Sequence, residues 1–199
     1  MIIPPPEQVT GVILAGGQAR RMGGKDKGLI QCAGRPLVSY AIEALSPLCS
    51  RTLINANRSL EEYQRFDLPV VTDSISGFHG PLAGILSALE TAHTEYVLVT
   101  PCDCPRLSSD SLGRVLSSLE DKHKDIAIAH DGKRLHPVVM ALRTRLAGDL
   151  SCWLTSGKRK IDAWAQRHHW VAVDLSDNAF QFININTPEE LEEYESSRN

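Results

Sequence analysis

At 199 residues, with 42% apolar and 23% charged side chains, the chain has the composition of an ordinary globular protein and not of a disordered, collagen-like or coiled-coil one. Lys plus Arg number 21 against 24 Asp plus Glu, a net charge of -3 that argues against a protein built to wrap nucleic acid and makes any polyanion site local. No apolar run approaches the roughly 20 residues that cross a bilayer, so a membrane span is not expected.

Residues 1–8 contain Pro4, Pro5 and Pro6 and no basic segment ahead of an apolar stretch; they read as a flexible lead-in, not a leader peptide. Thr10–Leu14 then reads as a strand, Pro36–Leu45 as a helix, Arg51–Ala56 and Pro69–Thr72 as strands, and Pro81–Ala92 as a helix. Glu95–Thr100 is a strand, Ser109–Glu120 a helix, Asp125–Ala129 and Pro137–Leu142 strands, Thr144–Leu154 and Ile161–His168 helices, and Trp170–Val173 and Phe180–Ile185 strands. The last helix, Pro188–Glu195, has the clearest start, because Thr187 can cap it, Pro188 suits its first turn and Glu190 completes a capping box. Continuous apolar strands alternating with helices predict an α/β fold: a single domain over residues 1–199, three-layered, with a mainly parallel sheet and helices on both faces. Cys32, Cys49, Cys102, Cys104 and Cys152 show neither disulfide-enzyme nor zinc spacing, so reduced thiols in the cytoplasm are expected.

Ligands of such sheets sit beyond the carboxyl ends of the strands, where strand order reverses. There, Gly11–Gly17 leads into a loop holding Arg20, Arg21, Lys25 and Lys27 among glycines that include Gly16 and Gly17. Glycine lets backbone amides approach an anion, and four cations on one loop of an acidic chain call for one; Arg20 and Lys27 are the candidates to meet a di- or triphosphate. The loop matches neither the P-loop nor the dinucleotide fingerprint, and a solvated basic loop is the other reading.

Asp103 lies after the fourth predicted strand in Pro101-Cys-Asp-Cys-Pro105, where the prolines restrict the backbone; a rigid carboxylate beside a phosphate loop can hold Mg²⁺, or it can cap the next turn. Asn55 and Asp73, at the ends of the second and third strands, are placed to face a nucleoside, or else to bond locally. Gly80, Pro81 and Leu82 open an apolar helix whose free amides can approach a base or phosphate. Asn184 and Asn186 flank Ile185 and offer paired donors and acceptors to a planar heterocycle, with turn and capping roles as the alternative. His136, Pro137 and Lys158–Lys160 are weaker candidates for the same side, and His168 and His169 read as surface residues.

The string LAGGQARRMGGKDKG resembles the signature loop of the nucleotidyltransferases that make molybdenum cofactor dinucleotides, the guanylyltransferases most of all. Leu53–Arg58, Asp73-Ser74, Gly80–Gly84, Pro101–Pro105, Asp131–Pro137 and Asn184–Leu191 resemble segments of the same enzymes, in order. The resemblance implies a Rossmann-like nucleotidyltransferase fold and transfer of GMP from GTP to the terminal phosphate of molybdenum-bound molybdopterin, releasing pyrophosphate. It implies Mg²⁺ on Asp103, catalytic roles for Arg20, Lys27 and Asp103, and nucleotide contacts from Leu14, Ala15, Gly16, Gly17, Lys27, Asn55, Asp73, Gly80, Pro81 and Leu82. Asn184 and Asn186 fall to the pterin side, so the N-terminal part binds nucleotide and the C-terminal part the acceptor. Cofactor-delivery or biosynthesis proteins are expected partners, nucleic acid and membrane are not. Cytidylyl transfer to molybdopterin, nucleotidyl transfer to a sugar phosphate, and a non-catalytic GTP or cofactor carrier are the rival functions.

Overall fold

Val9–Leu14 forms strand β1, whose alternate residues feed two different apolar clusters: Val9 and Ile13 join one, Val12 and Leu14 the other. A strand with apolar residues on both faces must be covered on both, and this chain covers it with helices. The computed structural model describes residues 2–16, 24, 26–75 and 80–197. After β1 come the short hairpin strands β2 (Gln31–Cys32) and β3 (Arg35–Pro36), helix α1 (Leu37–Leu45), β4 (Arg51–Asn55), α2 (Leu60–Gln64), β5 (Val70–Val71) and α3 (Pro81–Thr91). Then follow β6 (Tyr96–Pro101), α4 (Ser109–Asp121), β7 (Ile126–His130), β8 (Leu135–Arg143), α5 (Ala147–Thr155), α6 (Ile161–Ala165), β9 (Trp170–Asp174) and α7 (Pro188–Ser196).

The main sheet has the order β5-β4-β1-β6-β8-β7-β9. Only β8 runs against the rest, pairing antiparallel with both β6 and β7. The chain steps from β1 outward through β4 to β5, then returns to the other side of β1 as β6, so the order reverses beside β1. Leu45 of α1 and Leu112 and Val115 of α4 pack on one face, while Leu82 of α3, Leu150 of α5 and Trp164 of α6 pack on the other. A third cluster, with Ile30, Leu37, Tyr40, Ile185 and Tyr194, clamps the segment before α7 against α1 and the turn before the hairpin.

Several expectations are corrected. Phe180–Ile185 is not a strand: Ser176–Phe182 winds as 3-10 turns, and the segment after it bonds to a loop instead of a sheet edge. The predicted strand at Pro137–Leu142 is present, but β8 takes Pro137, which has no N–H to give, at a register shift between Ile128 and Ala129 of β7. Thr144–Leu146 is a 3-10 turn before α5, and α6 stops at Ala165. The lead-in is docked: Ser50 N–H donates to Pro6 O at 2.9 Å, and Ile2 N–H to Asp121 Oδ1 at 3.1 Å. The small hairpin and α2 were not anticipated.

Candidate active site

The register of β1 brings the site residues together. Leu14 stands opposite Asn55 on one side and Pro101 on the other. The ladder continues one step further, Ala15 N–H donating to Asn55 O at 2.8 Å and Cys102 N–H to Leu14 O at 3.2 Å. Residues 15–16, 56–57 and 102–103 therefore leave the sheet side by side, at the reversal of strand order where ligands of α/β sheets bind.

Asp103, only 8% exposed, is the centre of one cluster. The Lys27 ammonium donates to its Oδ2 and, at 2.5 Å, to Asn186 Oδ1. Asn184 Nδ2 donates to the same Oδ2 at 3.3 Å. The Cys104 thiol donates to Asn184 Oδ1 at 3.2 Å, which turns the amide so that its NH₂ faces the acid. Burial, with the Asp103 charge next, pushes the Cys104 thiol well up, so it stays a protonated donor and not a thiolate ligand. The backbone holds the arrangement: Ile185 N–H donates to Asp103 O at 2.9 Å, and Asn186 N–H to Glu190 Oε2 at 2.6 Å. Glu190 also completes the expected capping box with Thr187, so the start of α7 anchors both asparagines.

A second cluster lies on the other side of β1. Asn55 Nδ2 donates to Asp73 Oδ1 at 3.0 Å, Asn57 Nδ2 to Asp73 Oδ2 at 2.9 Å, and Asp73 N–H to Asn57 Oδ1 at 2.9 Å. Gly84 of α3 makes this possible, because a Cβ there would lie 2.1 Å from Asn55 Oδ1. Gly80, at φ +71°, turns the chain into α3, and Pro81 takes its first position, where an N–H has no helical partner. Leu82 is fully buried in the core, which leaves only its backbone as a contact group.

The sequence candidates thus separate into Lys27, Asp103, Asn184 and Asn186 at one cluster and Leu14, Ala15, Gly16, Asn55 and Asp73 at the other. Gly17, Arg20, Arg21 and Lys25 lie outside the described residues. His136 is buried, stacked on Phe182 at 4.2 Å between centroids and paired with Asp131 at 2.8 Å. Lys158 sits over the Trp153 ring at 4.6 Å and Arg159 bonds the Leu154 carbonyl at 2.7 Å, so both finish α5 instead of reaching Asp103. His168, read as a surface residue, is tucked against Trp164 and bonds Asp149 at 3.0 Å. Asn57 and Cys104, which take part in the two clusters, were missed. The two-residue spacing of Asn55 and Asn57 was the available signal for the first; a thiol orienting an amide leaves no sequence signal.

Mg²⁺ can be tested against this donor set. Among the described residues no three His, Cys, Asp or Glu form a metal cluster. Among the described residues, Asp103 Oδ2 takes Lys27 and Asn184, while Oδ1 has only the thiol of Cys104 at 3.8 Å. One open carboxylate oxygen fits a metal that takes most of its ligands from phosphate and water.

A family model described as MobA-like NTP transferase domain matches residues 11–171. The chain is 46% identical to molybdenum cofactor guanylyltransferase of Shewanella halifaxensis (strain HAW-EB4) over 186 residues, 94% of this chain and 93% of that protein. It is likewise 46% identical to the protein of the same name from Shewanella pealeana, over 94% of this chain and 93% of that one. Its fold is shared with the crystal structure of molybdopterin-guanine dinucleotide biosynthesis protein A from Archaeoglobus fulgidus, with TM-score 0.79, 24% identity, and coverage of 95% of this chain and 98% of that one.

Proposed function

This chain belongs to the MobA-like NTP transferase family, and from that premise we infer that it has molybdenum cofactor guanylyltransferase activity. It transfers GMP from GTP to the terminal phosphate of molybdenum-bound molybdopterin, yielding the guanine dinucleotide cofactor and pyrophosphate. The observation that carries the site assignment is the meeting of Lys27, Asn184 and Asn186 at Asp103, which joins the cationic loop to the C-terminal segment.

In the reaction the acceptor phosphate oxygen attacks the α-phosphorus of GTP; that P–O bond forms as the bond to the β-phosphate breaks, and pyrophosphate leaves with the electron pair. The acceptor is already ionised near neutral pH, its second pKa being about 6, so no side chain has to remove a proton. Phosphoryl-type transfer asks the protein mainly for position and charge. Lys27, with Arg20 from the adjoining loop, neutralises the departing pyrophosphate. Asp103 would hold Mg²⁺, which when bound would supply Lewis-acid charge to the phosphates. Asp73, fixed by Asn55 and Asn57, accepts hydrogen bonds from the nucleoside, while the backbone of Leu14–Gly17 and of Gly80–Leu82 approaches the base or phosphates. Asn184 and Asn186 face the acceptor. The enzyme is assigned to the cytoplasm, where its free cysteines stay reduced.

The test is pyrophosphate release from GTP, CTP, ATP and UTP, each with Mg²⁺ and with or without molybdenum-loaded molybdopterin. Release from GTP that requires the pterin supports the reading. A preference for CTP moves it to cytidylyl transfer, and binding without pyrophosphate makes the protein a carrier.

A further inference from the structure

Among the described residues two acids are buried, Asp103 and Asp26, and Lys27 lies between them: bonded to the first, next in sequence to the second. The Asp26 side chain is 1% exposed, and a carboxylate so far from water needs compensation. Tyr63 Oη donates to its Oδ1 at 3.1 Å. Arg58 Nε lies 3.3 Å from its Oδ2, an ion pair whose N–H is not aligned as a hydrogen bond. The Asp26 carbonyl accepts from Leu29 N–H at 3.0 Å and so closes the turn Lys27–Leu29 that carries the lysine. The Tyr63 ring lies against that turn so closely that a Cβ at position 28 would be 2.6 Å from Oη, which is why only glycine fits there. Tyr63 is fully buried, and burial holds its hydroxyl far above the usual phenol range, so it remains a donor at any working pH. Arg58 directly follows Asn57, the residue that fixes Asp73.

We propose that Asp26 is a positioning residue for Lys27: its buried carboxylate fastens the lysine turn to Tyr63 of α2 and to Arg58, and thereby ties the cation at the phosphates to the loop that orders Asp73. An ammonium on a long, flexible stem loses effect quickly when its backbone drifts. Two fixed points, Asp103 at the tip and Asp26 at the root, leave it one posture. The inference rests on Lys27 serving the triphosphate.

The experiment measures GTP dissociation constants by titration calorimetry for wild type, Asp26→Asn, Tyr63→Phe and Lys27→Ala, and for each of the first two substitutions combined with Lys27→Ala. A hydrogen bond to a charged group is worth enough that Asp26→Asn is expected to weaken GTP binding about tenfold, and Tyr63→Phe about threefold. In the Lys27→Ala background both effects should shrink below about twofold, because the residue they act through is gone. A merely structural role lowers the melting temperature but weakens binding by the same factor in both backgrounds, and that result, or wild-type affinity in a folded Asp26→Asn, overturns the proposal. If Asp26→Asn does not fold, Tyr63→Phe decides by the same comparison. The nitrogen NMR signal of the Lys27 ammonium, recorded without nucleotide, is an independent readout: it should shift or vanish in both single variants, and an unchanged signal refutes the positioning. Should Lys27→Ala leave GTP affinity intact, the triphosphate role of Lys27 fails, while the ammonium signal still judges Asp26.

Discussion

Lys27 Nζ and Asn186 Oδ1, 159 positions apart in the chain, are 2.5 Å apart in space. The cation of the turn Lys27–Leu29 and a residue just before the cap of α7 are thus parts of one hydrogen-bonded group, and a change at either end is felt at the other.

Lys27→Ala should weaken GTP binding by about tenfold or more while leaving GMP binding close to wild type, since the ammonium is assigned to the departing phosphates. Calorimetric titration with each nucleotide checks this; equal losses for GTP and GMP would place Lys27 at the nucleoside instead.

Asn186→Ala should raise the KM for the molybdopterin acceptor and also lower kcat, because it would remove both the proposed acceptor contact and a partner of Lys27. Steady-state kinetics with each substrate varied in turn separates the two. A variant with unaltered acceptor KM would contradict the assignment of Asn186 to that side.

Gly84→Ala introduces a Cβ 2.1 Å from Asn55 Oδ1 and 2.7 Å from its Cγ, which forces Asn55 off Asp73. A stability loss of about 1–3 kcal/mol is expected from overpacking, together with weaker GTP binding. Gly148→Ala is the control: nothing lies within 4 Å of a Cβ there, and stability should stay within about 0.5 kcal/mol of wild type. Urea denaturation of both variants is the measurement, and equal stabilities would remove the steric claim.

Asp131 accepts from His136 and from the backbone N–H groups of Arg134 and Lys133, which hold its carboxyl well below the usual carboxylate range. A depressed folded pKa means that its stabilisation is complete above the unfolded value of about 3.9 and is lost as pH falls through the lower folded value. Asp131→Asn should therefore be less stable than wild type at neutral pH and show a flatter decline below about pH 4. Parallel stability curves for the two proteins would show that this pair does not contribute.

Most of the sheet was readable because runs such as Val9–Leu14 and Tyr96–Pro101 are mainly apolar and the helices between them keep a helical period. Pro188 and its capping box marked α7 for the same local reason. Phe180–Ile185 misled because only two of its four large apolar residues pack: Phe182 stacks on His136 and Ile185 enters the third cluster, neither of which needs a strand, while Phe180 and Ile183 are exposed. Asp103, Asn55 and Asp73 could be placed at the carboxyl ends of strands because each directly follows or closes an apolar run. The contacts of Asp26 and Cys104 could not be read, since their partners Tyr63 and Asn184 are 37 and 80 positions away and only the folded chain brings them together.

The most direct test of the account is turnover of Asp103→Asn at saturating Mg²⁺, GTP and molybdenum-loaded molybdopterin, with GTP affinity measured alongside. Loss of the only carboxylate assigned to the metal should lower kcat by about 10²–10³ while GTP still binds within a few fold of wild type. Turnover at the wild-type rate would contradict it.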